Sequence, residues 1–223
     1  DAGHVCCDAG PRMGGANKFT IDIKGRGGHA ATPQECIDAA VVQAAVISNL
    51  QTLVSRNFSP MDPVVVTVGE VTAGERWNVV AENAHLAGTS RCFSKEINAQ
   101  LPKLIDRVAS ETAAAFGAKA TTKNIVLCPP VINDQHMAQV VQGAAREVIG
   151  SDAPVSEPGT MGGEDFAFFM DKVPGAVALL GIRNPKCGAI YPQHSCHYTV
   201  DESALLGGAM LYAKTAMDFN AGK

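Results

Sequence analysis

No run of apolar residues in this sequence approaches the roughly 18–20 needed to span a bilayer, so a membrane-spanning helix is not expected. It also lacks a basic run, and its 18 Lys and Arg are outnumbered by 22 Asp and Glu, for a formal net charge of −4. Phosphate backbones are held by clustered Lys and Arg, so nucleic-acid binding is not the expected function. Charged residues are few, 18% of the chain against 46% apolar, and mean hydropathy is +0.06, which excludes a disordered polyelectrolyte. Internal repeats and low-complexity tracts are absent. The opening Asp1-Ala2-Gly3-His4 has no initiator Met and no basic-then-apolar leader, so the chain is expected to be less than a whole reading frame.

What is there suits one large domain or two small ones, since 223 residues can bury a sizeable core. Seven cysteines is an odd number, scattered through a chain too large to need staples. That favours reduced thiols in a cytoplasmic protein over a disulfide framework. Most of the seven read as small buried apolar residues. Cys6 and Cys7 are adjacent, and Cys187 and Cys196 flank a His-containing loop, so metal ligation stays open for these four.

Hydrophobic periodicity divides the chain. Lys18-Phe-Thr-Ile-Asp-Ile-Lys24 alternates as a half-buried strand does. After the glycine-rich turn at 25–28, apolar residues recur at helical spacing over 36–56. The β-branched run Val64-Val-Val-Thr-Val-Gly-Glu-Val71 reads as a strand, and 84–93 as another. Ser94 opens an amphipathic helix to about Phe116, with Gly117 as its stop. A strand over 118–126 follows, closed by Cys128-Pro-Pro130. Strand-helix-strand-strand-helix-strand over 18–128 predicts a ferredoxin-like four-stranded sheet with two helices on one face. Beyond the prolines, Asn133-Asp134 cap a helix to about Ile149. The stretch 150–163 reads as a loop, 165–170 as a short helix, 176–182 as an apolar strand and 183–199 as a polar loop. Asp201-Glu-Ser starts a last helix to about Phe219.

Three places could carry chemistry. Gly25-Arg-Gly-Gly-His-Ala-Ala31 sets His29 at a strand-to-helix junction where glycines let backbone amides approach a ligand. A functional and a turn-stabilising His29 are equally compatible with this pattern, and the Lys-Ser/Thr pair of a phosphate-binding loop is missing. Met161-Gly-Gly-Glu-Asp-Phe-Ala-Phe-Phe169 places two adjacent carboxylates after a glycine pair, either at a pocket edge or at a helix N-terminus. Gln193-His-Ser-Cys-His-Tyr198 carries two imidazoles in a loop before an acid-capped helix. Two His alone do not make a zinc site, which takes three or four ligands.

Six motifs, in order, resemble one enzyme family. They are the 25–31 motif, Leu50-Gln-Thr-Leu-Val-Ser-Arg-Asn57, Asn78-Val-Val80, Gly88-Thr-Ser-Arg91, the 161–169 motif, and His194 before Asp201-Glu202. The resemblance is to the dizinc amidohydrolases that include aminoacylase, carboxypeptidase G, and the hippurate and indole-acetyl-amino-acid hydrolases. The hippurate/auxin-conjugate branch is the nearest, and nearly the whole chain from about Gly3 is covered. The resemblance implies an α/β chain in three parts. Residues 1–17 would end an N-terminal catalytic segment, 18–128 would form the lid and dimerisation domain, and 129–223 would be the C-terminal part of a zinc-peptidase-like catalytic domain. It further implies hydrolysis of N-acyl amino acids or similar carboxylate-bearing amides. The implied cofactor is a pair of divalent metals, Zn or else Mn or Co. His194 and His4 resemble metal ligands, although the connection after His4 is shorter than the family's. His29, Asn78 and Arg91 resemble lid residues that reach a partner subunit's active site. There His29 would hydrogen-bond the oxyanion, and Asn78 and Arg91 would hold the substrate carboxylate. Glu164 and Asp165 would shape the pocket, and His197 would be structural.

The family's first metal-binding segment and its Glu-Glu pair carrying the general base have no counterpart here, so this chain alone is expected to be inactive. The expected partners are a small amide substrate and a second copy bound through the lid, without nucleic acid or membrane. Two other readings remain: a non-catalytic dimerisation module derived from the family, and a small ligand-binding regulator that holds an acid with Arg91 and Asn78.

Overall fold

The computed structural model describes residues 1–222. Its strands and helices run in the order β1 (Val5–Cys6), β2 (Gly10–Met13), β3 (Gly15–Lys24), β4 (Gly28–His29) and α1 (Ala39–Asn57). Then come β5 (Val64–Ala73), β6 (Val79–Val80), β7 (Asn83–Cys92), α2 (Lys95–Ala115) and β8 (Lys119–Cys128). The remainder holds β9 (Val131–Asn133), α3 (Gln135–Val148), β10 (Pro154–Val155), α4 (Ala167–Met170), β11 (Leu179–Leu180) and α5 (Ser203–Asn220). Two compact units result. One comprises Met13–Pro130 with Met161–Asp165; the other comprises Asp1–Arg12, Val131–Thr160 and the chain from Phe166 onward.

The first unit has the ferredoxin-like α/β architecture expected from the sequence for 18–128. Its antiparallel sheet has the order β5-β7-β3-β8, so the first strand in sequence lies inside the sheet. Strand alternation explains why one face is covered. Phe19, Ile21 and Ile23 of β3 are buried among the helices, while Lys18, Asp22 and Lys24 face solvent. On α1 the buried Val42, Val46, Leu50 and Leu53 recur at helical spacing, as Leu101, Ile105 and Ala109 do on α2.

Capping sets the helix ends. The helix expected from residue 36 begins at Ala39, because the Asp38 carboxylate accepts from the amides of Ala40 and Val41 at 2.9 and 3.4 Å. The Ser94 hydroxyl accepts from the Ile97 amide, as the sequence predicts for this start. At the other end of α2, Gly117 takes φ +76°, and the amides of Gly117 and Ala118 donate back to the carbonyls of Ala114 and Ala113. The buried Gln43 reaches from α1 to the sheet, where its amide donates to the carbonyls of Thr72 and His85.

In the second unit α3 and α5 pack together over a core of Val5, Cys7, Ala138, Val141, Ala144, Ala145 and Leu211. Strand β1 lies between β10, to which it is parallel, and β11, to which it is antiparallel. Only Leu179–Leu180 of the apolar run at 176–182 pairs as strand. Asp134 caps α3 through the Met137 amide at 2.9 Å, whereas Asn133 does something else. Its buried side chain donates to the carbonyls of Asp8 and Val177 and accepts from the Val177 amide. A buried amide with three partners is satisfied, which is why a polar residue is tolerated there.

Candidate functional site

The glycine-rich segment around His29 forms a two-stranded ribbon that periodicity could not show. Strands β4 and β6 pair antiparallel, with Gly28 opposite Val80 and His29 opposite Val79. The Ala30 amide then donates to the Asn78 carbonyl at 3.2 Å. His29 and Asn78 are therefore held on one ribbon by main-chain bonds. The His29 ring is exposed, and its Nδ1 accepts the Ala31 amide at 3.0 Å. A nitrogen that accepts cannot carry the proton, so the neutral ring keeps its proton on Nε2. Nε2–H is a donor of the kind a developing oxyanion requires. The turn-stabilising and functional readings of His29 are thus compatible, one on each ring nitrogen.

Arg91 lies elsewhere. In the sheet it is opposite Ala16, near the start of β3, whereas Asn83 and Lys24 mark the end that leads to the ribbon. Eight residues of strand separate Arg91 from Asn83, about 26 Å at ~3.3 Å per residue. One copy of this unit does not bring Arg91 together with His29 and Asn78. Beside Arg91 sits the 161–165 segment of the Gly-Gly-Glu-Asp motif, and an Arg91 guanidinium nitrogen donates to the Met161 carbonyl at 3.0 Å. A Cβ at Gly163 would stand 2.8 Å from Cys128 Sγ and 3.3 Å from Ala16 Cβ, so glycine is what lets this segment lie against the sheet.

His4 and His194 both belong to the second unit and are both exposed. His4 leads directly into β1, and its carbonyl accepts the Gly181 amide at 2.8 Å. His194 has φ +68°, the one non-glycine residue with positive φ among the described residues. Such a conformation is sparsely populated and concentrates at functional sites. The loop carrying His194 is closed by Asp201, whose carboxylate accepts from Asn184 at 2.6 Å and from the Ser203 amide and hydroxyl at 3.0 and 2.7 Å. The Asn184 and Ser203 hydrogen bonds hold the Asp201 carboxyl below its ordinary range. Nearby, the exposed Tyr191 and His197 place their rings 5.3 Å apart.

Two imidazoles fall short of the three or four ligands a tetrahedral centre takes. Among the described residues, no three His, Cys, Asp or Glu side chains group as they would around a metal ion. Burial, then the neighbouring Cys6 and Asp8, push the Cys7 thiol up to about 12, so in this chain it rests as a thiol. None of the seven cysteines is in a disulfide, and Cys187 and Cys196 are exposed. These residues by themselves therefore do not fit a complete metal centre.

Sequence reasoning passed over one pair. Asp22 and His85 are directly opposite on β3 and β7, on the sheet face away from the helices, with His85 Nδ1 2.7 Å from Asp22 Oδ1. They help line a concavity of about 710 Å³ between that face and the ribbon residues Gly27, Gly28, Val79 and Val80. The period-2 alternation of both strands was the available signal; the register that pairs them was not.

The pattern of peptidase family M20/M25/M40 matches residues 57–218. An IAA-amino acid hydrolase of Arabidopsis thaliana is 34% identical over 218 residues, 96% of this chain and 50% of the relative. The N-acetylcysteine deacetylase of Bacillus subtilis is 35% identical over 215 residues, 96% of this chain and 55% of the relative. Among solved structures, a Bacillus subtilis protein described as a dinuclear metal-binding peptidase superposes with a TM-score of 0.78 at 30% identity, covering 96% of this chain and 52% of its own. A protein of methicillin-resistant Staphylococcus aureus described as an aminohydrolase superposes with a TM-score of 0.90 at 26% identity, covering 98% of this chain and 56% of its own. The chain spans about half the length of the relatives it matches.

Proposed function

Since the chain belongs to peptidase family M20/M25/M40, we propose that it supplies the lid and the C-terminal catalytic portion of an enzyme that hydrolyses N-acyl amino acids or similar carboxylate-bearing amides. The observation that carries this reading is the His29 ring. Its Nδ1 is engaged by Ala31, which leaves an Nε2–H donor on the same ribbon as the Asn78 amide. Such a donor, fixed before the reaction begins, favours the charge that develops on an attacked amide carbonyl. Asn78 and Arg91 would bind the substrate carboxylate, Arg91 by a charge-assisted bond.

The register adds a condition. His29 and Asn78 lie at one end of the lid sheet and Arg91 at the other, so all three meet one substrate only if two copies contribute. That supports the homodimer expected from the sequence, with the ribbon of one copy serving its partner's site. Binding of divalent metal is proposed for a protein with a complete catalytic domain, with His4 and His194 as two of the donors. The 223 residues alone are expected to be inactive. The absence of a three-ligand group among the described residues would equally suit a non-catalytic dimerisation or ligand-binding module, which is the second reading.

The discriminating assay uses the protein that carries this chain together with a complete catalytic domain. Turnover of N-acetyl and N-benzoyl amino acids with Zn²⁺, Mn²⁺ or Co²⁺ supplied is the expected result. No turnover across that panel, with metal shown to be bound, would remove the substrate class and leave the non-catalytic module.

A further inference from the structure

Trp77 is the chain's one tryptophan, and at 95% it is more exposed than any other large apolar side chain among the described residues. It occupies a turn closed by the Val79 amide, which donates to the Arg76 carbonyl at 3.2 Å. The next residue is Asn78, whose carbonyl is bound by Ala30, and Val79 stands directly across from His29. The Trp77 backbone is therefore held one residue from Asn78, on the same ribbon as His29.

We propose that Trp77 determines specificity by packing against the acyl group of the amide whose polar end His29 and Asn78 hold. This inference rests on the amide-hydrolysis reading above. An indole brings a large, rigid apolar surface with few rotatable bonds, and leaving it in water gains nothing for the fold. Its placement next to an imidazole donor and a carboxamide makes an amphipathic contact surface. That surface matches a ligand with an amide and a carboxylate at one end and an aryl or branched alkyl acyl group at the other. An acetyl group is too small to cover much of an indole, so the preference should run toward larger acyl groups.

Trp77 is the one tryptophan among these 223 residues, and its indole N–H gives a signal that reports on this position alone. The protein that carries this chain together with a complete catalytic domain is titrated, metal-free so that neither ligand is turned over, with N-benzoylglycine and N-acetylglycine, following the Trp77 indole N–H and His29 Cε1–H signals by NMR. N-benzoylglycine should shift both signals saturably and bind about 10-fold tighter than N-acetylglycine, the factor that ~1.4 kcal/mol represents. Trp77→Ala should bring N-benzoylglycine down to the affinity of N-acetylglycine, and Trp77→Phe should retain most of the preference. If His29 responds alike to both ligands and Trp77→Ala changes neither response, the role of Trp77 is overturned while the amide site stands. If His29 responds to neither ligand, the amide-site reading falls and takes the Trp77 role with it.

Discussion

The amide of Ala30 donates to the carbonyl of Asn78 at 3.2 Å, joining two segments nearly fifty residues apart into the ribbon that carries His29. The bond is a main-chain one, so it depends on having an amide at residue 30 rather than on which side chain stands there. Ala30→Pro removes the donor. The expected outcome is faster hydrogen exchange at the Val79 and Val80 amides, with this unit losing about 1 kcal/mol or less of stability. Exchange at Val79 and Val80 as slow as in the parent would show that the ribbon does not depend on this bond.

His29 is predicted to act through Nε2. In the complete enzyme, His29→Ala should lower kcat about 10²–10³-fold, with KM changing much less, as expected for a donor used chiefly in the transition state. A loss confined to KM would place His29 in ground-state binding instead.

Burial on β3 predicts a contrast between neighbours. Phe19→Ala should cost about 3–5 kcal/mol in urea unfolding, because the ring is fully buried beneath the helices. Lys18→Ala, on the solvent face, should stay within about 0.5 kcal/mol. Equal costs for the two would contradict the strand's alternation.

The cysteines should separate by reactivity. Burial drives the Cys7 thiol to about 12 and the Cys92 thiol to about 11, so neither offers thiolate near neutral pH. Brief alkylation of the folded chain with iodoacetamide at pH 8 should label Cys187 and Cys196 and spare Cys7 and Cys92, as read by peptide mass spectrometry.

Asp201 makes the closure of the His194 loop pH-dependent. Its folded-state pKa lies below the unfolded one because Asn184 and Ser203 donate to the carboxylate. The ionised form is thus the one the fold favours. The contribution is present in full above about pH 4 and disappears as pH falls through the depressed value. Asp201→Asn should remove that dependence, and NMR of the His194 ring between pH 6 and pH 2.5 would follow it.

How much of this was legible in advance depended on whether a signal was local. The order of strands and helices from Lys18 to Cys128 followed from side-chain periodicity, the Ser94 cap and Gly117, each expressed within a few residues. Strands β4 and β6 are two residues each, too short to show any period, so the ribbon was invisible. Asn133 read as a helix cap because its residue type suits one, yet its side chain is spent on partners at Asp8 and Val177.

The sequence alone determined the repertoire: the ferredoxin-like α/β unit, the family, and His29, Asn78, Arg91, His4 and His194 as candidate residues. Only the tertiary structure decided their grouping. It put His29 and Asn78 on one ribbon, set Arg91 about 26 Å of strand away beside Met161, and gave His194 its left-handed backbone. The physical reason is that a motif records which side chains are present, whereas strand register and long-range hydrogen bonds set the distances between them. Catalysis depends on those distances.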